Sequence, residues 1–132
     1  MSRIPVRTSL LATGVGLAAI AAIGCGSGDS APAGAKRMSF ELTDAGCKPH
    51  DAKAPAGPVV FEVENTGTSK VTEFEVLDGA KVLGEEENLT EGLSGSFDLT
   101  LEPGRYTLYC PGGSDERGVL VVSEGSGAAA GS

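Results

Sequence analysis

Between residues 38 and 123 the apolar side chains recur at every second position, and no window keeps a helical period. A two-residue repeat puts one row of side chains on each face of an extended chain, which demands half-buried strands. Phe40 and Leu42 alternate with polar neighbours over 39–43, and Val59, Phe61 and Val63 do so over 58–64, after which Asn65-Thr66-Gly67 marks a turn. Residues 71–77 run inward through Phe74 and Val76, Asp78-Gly79 is a hairpin signal, and 81–84 returns. Phe97, Leu99 and Leu101 alternate over 94–101, Pro103-Gly104 turns the chain, and two further strands follow over 104–110 and 117–122. In the first of these Tyr106, Leu108 and Cys110 share one face, so a thiol is delivered to the rim of the core. About seven short strands separated by turn residues predict an all-β protein, a β-sandwich.

The ends read differently. Arg3 and Arg7 precede an uncharged run from Thr8 to Gly24, rich in Leu, Ala, Ile and Gly, which has the form of a secretory signal over 1–24. The run is barely long enough to span a bilayer and carries several glycines, so a permanent transmembrane helix is the weaker reading. Ala22-Ile23-Gly24-Cys25 is similar to a lipobox, which makes Cys25 a lipidated N-terminus; in an ordinary signal peptide Cys25 would be incidental. A flexible tether is expected over 25–37, one domain over 38–123, and a disordered tail over 124–132. The expected location is extracytoplasmic, with the membrane as partner through the lipid on Cys25. With Arg3 and Arg7 removed from the 10 basic residues, 8 face 18 acidic ones, a net charge of about −10. Such a chain repels nucleic acid and attracts cations.

The order of motifs carries a resemblance. Val63-Glu64-Asn65-Thr66-Gly67, Val71-Thr72-Glu73-Phe74-Glu75-Val76, Pro103 through Gly113, and Gly118-Val119-Leu120-Val121-Val122 resemble the cupredoxin superfamily. The resemblance implies a Greek-key sandwich. In copper-carrying members a His precedes the Glu-Phe-like pair, and the late cysteine is followed by a His and a Met in one loop. Here Thr72 takes the first place, and the loop 111–117 contains neither residue. A blue-copper centre needs two imidazoles, a thiolate and usually a weak axial thioether. The chain has one His, His50, and beyond the signal only Met38, so blue-copper electron transfer is not expected.

A second resemblance covers nearly the whole domain. Leu42-Thr43-Asp44-Ala45-Gly46-Cys47-Lys48-Pro49, Pro55 through Pro58, Thr72 through Gly79, Glu87-Asn88-Leu89, Gly92 through Phe97 and Tyr109 through Gly113 are similar to the cupredoxin-like domain of the EfeO family. That family belongs to a bacterial extracytoplasmic iron-uptake system, which implies a permease or peroxidase partner. By match, it also implies Cys47, Cys110 and Glu73 as metal ligands. Family members commonly carry a further helical domain with a His-x-x-Glu motif. The motif is missing here, so the expectation is a stand-alone lipid-anchored relative.

Two chemistries stay open for Cys47 and Cys110. An extracytoplasmic compartment permits a disulfide, and two cysteines besides Cys25 make an even count. Two thiolates beside a carboxylate would instead suit copper or another borderline ion. Alternation places Glu75 with Glu73 on one outward face; usually that is a solvated strand face, but two such carboxylates can converge on a hard cation. Asp78 and Glu85-Glu86-Glu87 share the hairpin and could add oxygens, although solvation and edge protection are the plainer reading. His50 follows Cys47 at a Cys-x-x-His spacing and is more often simply exposed. No Ser-His-Asp set or phosphate-cradling loop is present, so an enzyme is not expected. The expectation is a lipid-anchored protein binding copper or iron through Cys47, Cys110 and Glu73, with Glu75 second. The alternative is a metal-free structural or interaction module held by a Cys47–Cys110 disulfide.

Overall fold

Alternation becomes pairing in the computed structural model, which describes residues 31–125. The signal, Cys25, the first half of the tether and residues 126–132 of the tail lie outside the described residues. Nine strands form among these described residues: β1 Lys36–Thr43, β2 Gly46–Lys48, β3 Ala52–Pro55, β4 Gly57–Asn65, β5 Phe74–Asp78, β6 Lys81–Glu86, β7 Ser94–Leu101, β8 Gly104–Tyr109 and β9 Arg117–Ser123. They make a four-stranded sheet ordered β2-β1-β4-β7 and a five-stranded sheet ordered β3-β9-β8-β5-β6. Both sheets are mixed, with β1 parallel to β4 and β3 parallel to β9. No helix among the described residues is long and apolar enough to cross a membrane.

The expected sandwich is present, with two strands more than the alternation predicts. β2 and β3 have three and four residues, too few to show a period, and their pairing defines them. β1 also starts earlier than the apolar pattern, at Lys36, which pairs with Val59 of β4; Arg37 beside it forms an ion pair with Glu62.

The core lies between the sheets. Phe40, Phe61 and Phe74 are fully buried, and Phe97 packs against them. Ring centroids lie 4.8 Å apart for Phe40–Phe74 and 5.1 Å for Phe61–Phe97, within the range for favourable aromatic pairs. Phe97 comes from β7 and lies over Gly84 of β6 in the opposite sheet. A Cβ on Gly84 would stand 2.7 Å from the Phe97 ring, so the glycine makes room for the aromatic.

Asn65 ends β4 and is fully buried. Its Oδ1 accepts from the Gly67 and Thr68 amides, the Asx turn that Asn-x-Gly suggests. Its Nδ2 donates to the carbonyls of Leu89 at 2.7 Å and Thr68 at 2.9 Å, with a longer contact to Val71 at 3.3 Å.

The sheets are also joined covalently. Cys47 of β2 is bonded to Cys110, just beyond β8, with Cα atoms 5.5 Å apart. Both side chains are buried. The loop after Cys110 lies close on the β1–β2 turn, where the amides of Ser114 and Asp115 donate to the carbonyls of Asp44 and Ala45. A Cβ on Gly113 would collide with the Ala45 carbonyl, and one on Gly112, at φ +93°, with the Lys70 carbonyl.

The bond spans 63 residues, and closing a loop of that length lowers the entropy of the unfolded chain by about 4 kcal/mol in the chain-entropy account. The double variant Cys47→Ser/Cys110→Ser is expected to lose about that much unfolding free energy in urea titration. A loss below about 1 kcal/mol would mean the bond adds little to this fold.

Candidate functional site

The outer face of the five-stranded sheet carries a band of carboxylates at the β5–β6 end. Phe74 and Val76 are buried, so Glu75 points outward, and Glu73 precedes the strand on the same side. Across the sheet, register aligns Glu85 of β6 with Glu75, Glu75 with Tyr109 of β8, and Tyr109 with Arg117 of β9. The Arg117 guanidinium carbon sits 4.0 Å from the centre of the Tyr109 ring.

A break in register brings Glu85 into this row. Asp78 pairs with Lys81 and Leu77 with Val82, but Val76 pairs with Gly84, so Leu83 of β6 is skipped opposite the Val76–Leu77 step. Without that bulge Glu75 would face Gly84, and Glu85 would turn toward the core side, because a one-residue slip exchanges the faces of a strand. The hairpin before it is a two-residue turn with Gly79 at φ +59°, a backbone that favours glycine.

Glu73, Glu85 and Glu87 each offer a carboxylate oxygen, and the three lie within 4.8 Å of one another. Ligand oxygens around one hard cation, each about 2.0–2.6 Å from it, stand at such separations. Glu75 lies against this group. Burial first, then a hydrogen bond to Glu73 and repulsion from Glu73 and Glu85, push its carboxyl from 4.5 up to about 7; Arg117 opposes the shift.

The ligand set implied by resemblance is not assembled. Cys110 lies on the inner face with Leu108, bonded to Cys47, whereas Glu73 lies outside with Glu75. Bonded sulfurs provide no thiolate. Of the residues singled out in the sequence, Glu73 and Glu75 come together, and Glu85 and Glu87 join them in place of the cysteines. The glutamate run shows in the sequence, but its face depends on the bulge, which no residue pattern announces.

His50 lies elsewhere, beside the disulfide loop. Its Nδ1 is 3.1 Å from Asp51 Oδ1 and its Nε2 3.2 Å from Asp115 Oδ1. The Nε2 is shielded from solvent and makes no well-directed hydrogen bond, so the Asp115 contact is mainly electrostatic. Asp51 Oδ1 also accepts the Val119 amide at 2.8 Å, tying the β2–β3 connection to β9. Desolvation lowers the imidazole's pKa, but Asp51 and Asp115 together outweigh it and hold it above 6.5.

The family model described as a cupredoxin-like domain matches residues 16–122. The chain belongs to the cupredoxin-like domain family. The iron uptake system component EfeO of Yersinia pseudotuberculosis serotype I (strain IP32953) is 34% identical over 89 residues, 67% of this chain and 24% of that protein. The component of the same name from Escherichia coli (strain K12) is 31% identical over 86 residues, 65% of this chain and 23% of that protein. The chain therefore spans about a quarter of the length of the curated relatives it matches. The reduced auracyanin of Roseiflexus castenholzii superimposes with a TM-score of 0.57 at 15% identity, over 67% of this chain and 98% of that one, which shows the fold.

As a cupredoxin-like domain the chain is EfeO-type in sequence, and the loop 111–116 after its late cysteine holds no His or Met. Its gathered polar donors are oxygens on the outer sheet face.

Two pH effects follow. Glu75 is an acid whose folded pKa is raised, so its ionisation opposes folding. The penalty is absent below about 4.5 and complete above about 7. Glu75→Gln should add roughly 1–2 kcal/mol of unfolding free energy at pH 8, after allowance for solvent screening, and nothing at pH 4, measured by denaturant titration. His50 acts through a raised base: its contribution is full below 6.5 and lost as pH rises through the folded value. NMR titration of the imidazole should give a midpoint above 6.5 that falls in Asp115→Asn; an unchanged midpoint would remove Asp115 from the account.

Proposed function

We propose that this protein is a metal-binding cupredoxin-like component of an iron-uptake system, with iron as cargo held by oxygen ligands. The observation that carries the reading is the convergence of Glu73, Glu85 and Glu87 within 4.8 Å, with Glu75 beside them. The likeness to EfeO proteins, named as iron uptake system components, supports the choice of iron. Donor chemistry supports it too: carboxylates suit hard cations, whereas copper prefers thiolate, thioether or imidazole, and the cysteines of this domain are bonded to each other.

In this reading Glu73, Glu85 and Glu87 hold the ion and Glu75 releases its proton as the ion arrives. Negative charge across the chain raises the local cation concentration. The protein performs no catalysis; it receives the ion and passes it to a membrane permease or a peroxidase partner. Its place is outside the cytoplasmic membrane, tethered by a lipid on Cys25, which suits a scavenger that must stay near its transporter.

Equilibrium dialysis against ferric ion supplied from a weak chelator, with metal analysis of the retained protein, tests the reading. One ion per chain is expected with the disulfide intact, and Glu73→Gln or Glu87→Gln should weaken binding at least tenfold while leaving the fold unchanged by circular dichroism. Absence of iron binding, or equal binding by the variants, sinks the site. Iron-free protein with a permanent disulfide would favour a purely structural module.

A further inference from the structure

Two of the three converging carboxylates lie outside regular strands. Glu73 sits at the end of the connection from β4 to β5, and Glu87 just after β6. The last rung of the β5–β6 ladder, Phe74 with Glu86, places them opposite each other, and beyond that rung the two connections are held by other contacts.

We propose that Asn65 is the positioning residue of the carboxylate group, a role that rests on the reading of that group as a cation site. From the end of β4, its single amide reaches both connections. Nδ2 donates to the Leu89 carbonyl, two residues beyond Glu87, and contacts the Val71 carbonyl, two residues before Glu73. Its two protons serve three carbonyls, so the 3.3 Å Val71 contact shares a proton with a shorter bond. Oδ1 meanwhile folds the start of the first connection by accepting from Gly67 and Thr68.

The backbone completes the clasp. The Leu89 amide donates to the Thr72 carbonyl at 2.9 Å, bringing the residue before Glu73 against the connection that bears Glu87. The Asn65 amide donates to Leu93 and its carbonyl accepts from Gly92, which anchors the far end of that connection. Asn88, between Glu87 and Leu89, has φ +57°, a left-handed conformation that asparagine tolerates better than most residues. Thr68 extends the clasp: its hydroxyl donates to Asp44 Oδ1 at 2.6 Å.

Like charges held this close repel. That repulsion acts to part the two connections beyond the Phe74–Glu86 rung. Asn65, fully buried and with every donor and acceptor used, opposes that motion without touching the ion.

The test uses the full chain in three variants: Asn65→Ala, the milder Asn65→Ser, and Leu120→Ala, a core truncation on β9, outside both connections. Ferric affinity is measured by dialysis, and amide hydrogen exchange is followed for Leu89 and Gly92 relative to the β8–β9 ladder. The expected result is a tenfold or greater loss of affinity in Asn65→Ala, a smaller loss in Asn65→Ser, and none in Leu120→Ala. Exchange at Leu89 and Gly92 should quicken at least tenfold in the Asn65 variants alone. Equal loss of affinity in Leu120→Ala, or no loss in either Asn65 variant, overturns the proposal. If the unaltered protein binds no ferric ion, the cation reading has failed, and exchange alone decides whether Asn65 holds the connections together: no selective quickening refutes it. If Asn65→Ala does not fold, Asn65→Ser carries the same comparison.

Discussion

Burial of Phe74 governs the layout of this molecule. The ring is fully enclosed and packs against Phe40, Phe61 and Phe97. Because strand side chains alternate, an inward Phe74 forces Glu75 outward and leaves Glu73 on the same outer side. The neighbouring strand obeys the same rule from the other direction: Leu108 goes in, so Cys110 goes in and Tyr109 comes out. Sulfur and carboxylate are thereby assigned to opposite faces of one sheet. The cysteines become cross-linking elements between sheets, and any ion-handling chemistry falls to oxygen on the outside.

That assignment has an electrostatic cost, which the fold tolerates because the carboxylates lie at the edge of a sheet near water. The bulge between Val76 and Leu77 crowds them by turning Glu85 to the same face. One proton, retained by Glu75 up to about pH 7, relieves part of the repulsion. Arg117, held over Tyr109 one strand further on, supplies a compensating positive charge at the end of the row.

Much of this was legible in the sequence. Period-two alternation named the long strands and the outward pairing of Glu73 with Glu75, and Asp78-Gly79 announced the hairpin. The short strands β2 and β3 were not legible, because three or four residues carry no period and only their partners define them. The parallel pairings of β1 with β4 and β3 with β9 were hidden for a related reason: strands far apart in sequence meet through the packing of the whole core. For the cysteines the sequence left bridge and ligand open, since an even count suits both; what separates them is which face Cys110 takes and how near Cys47 lies. The role of Asn65 was half visible. Asn-Thr-Gly announced a turn, but its reach to Leu89, 24 residues away, depends on tertiary contact.

The tight seat of the loop after Cys110 limits what this scaffold can be turned into. Gly112 and Gly113 lie with their α-carbons facing backbone carbonyls of Lys70 and Ala45, and Gly46 faces Asp115 with room for no more than a hydrogen. Side chains at these places would wedge the loop off the β1–β2 turn, and at Gly112 the backbone itself disfavours any substituent. A histidine or methionine therefore cannot be introduced at either glycine without moving the segment to a new path over the sheet. Engineering this domain toward electron transfer would begin with loop replacement, whereas altering its outer carboxylate face needs only exchange of exposed or half-exposed side chains.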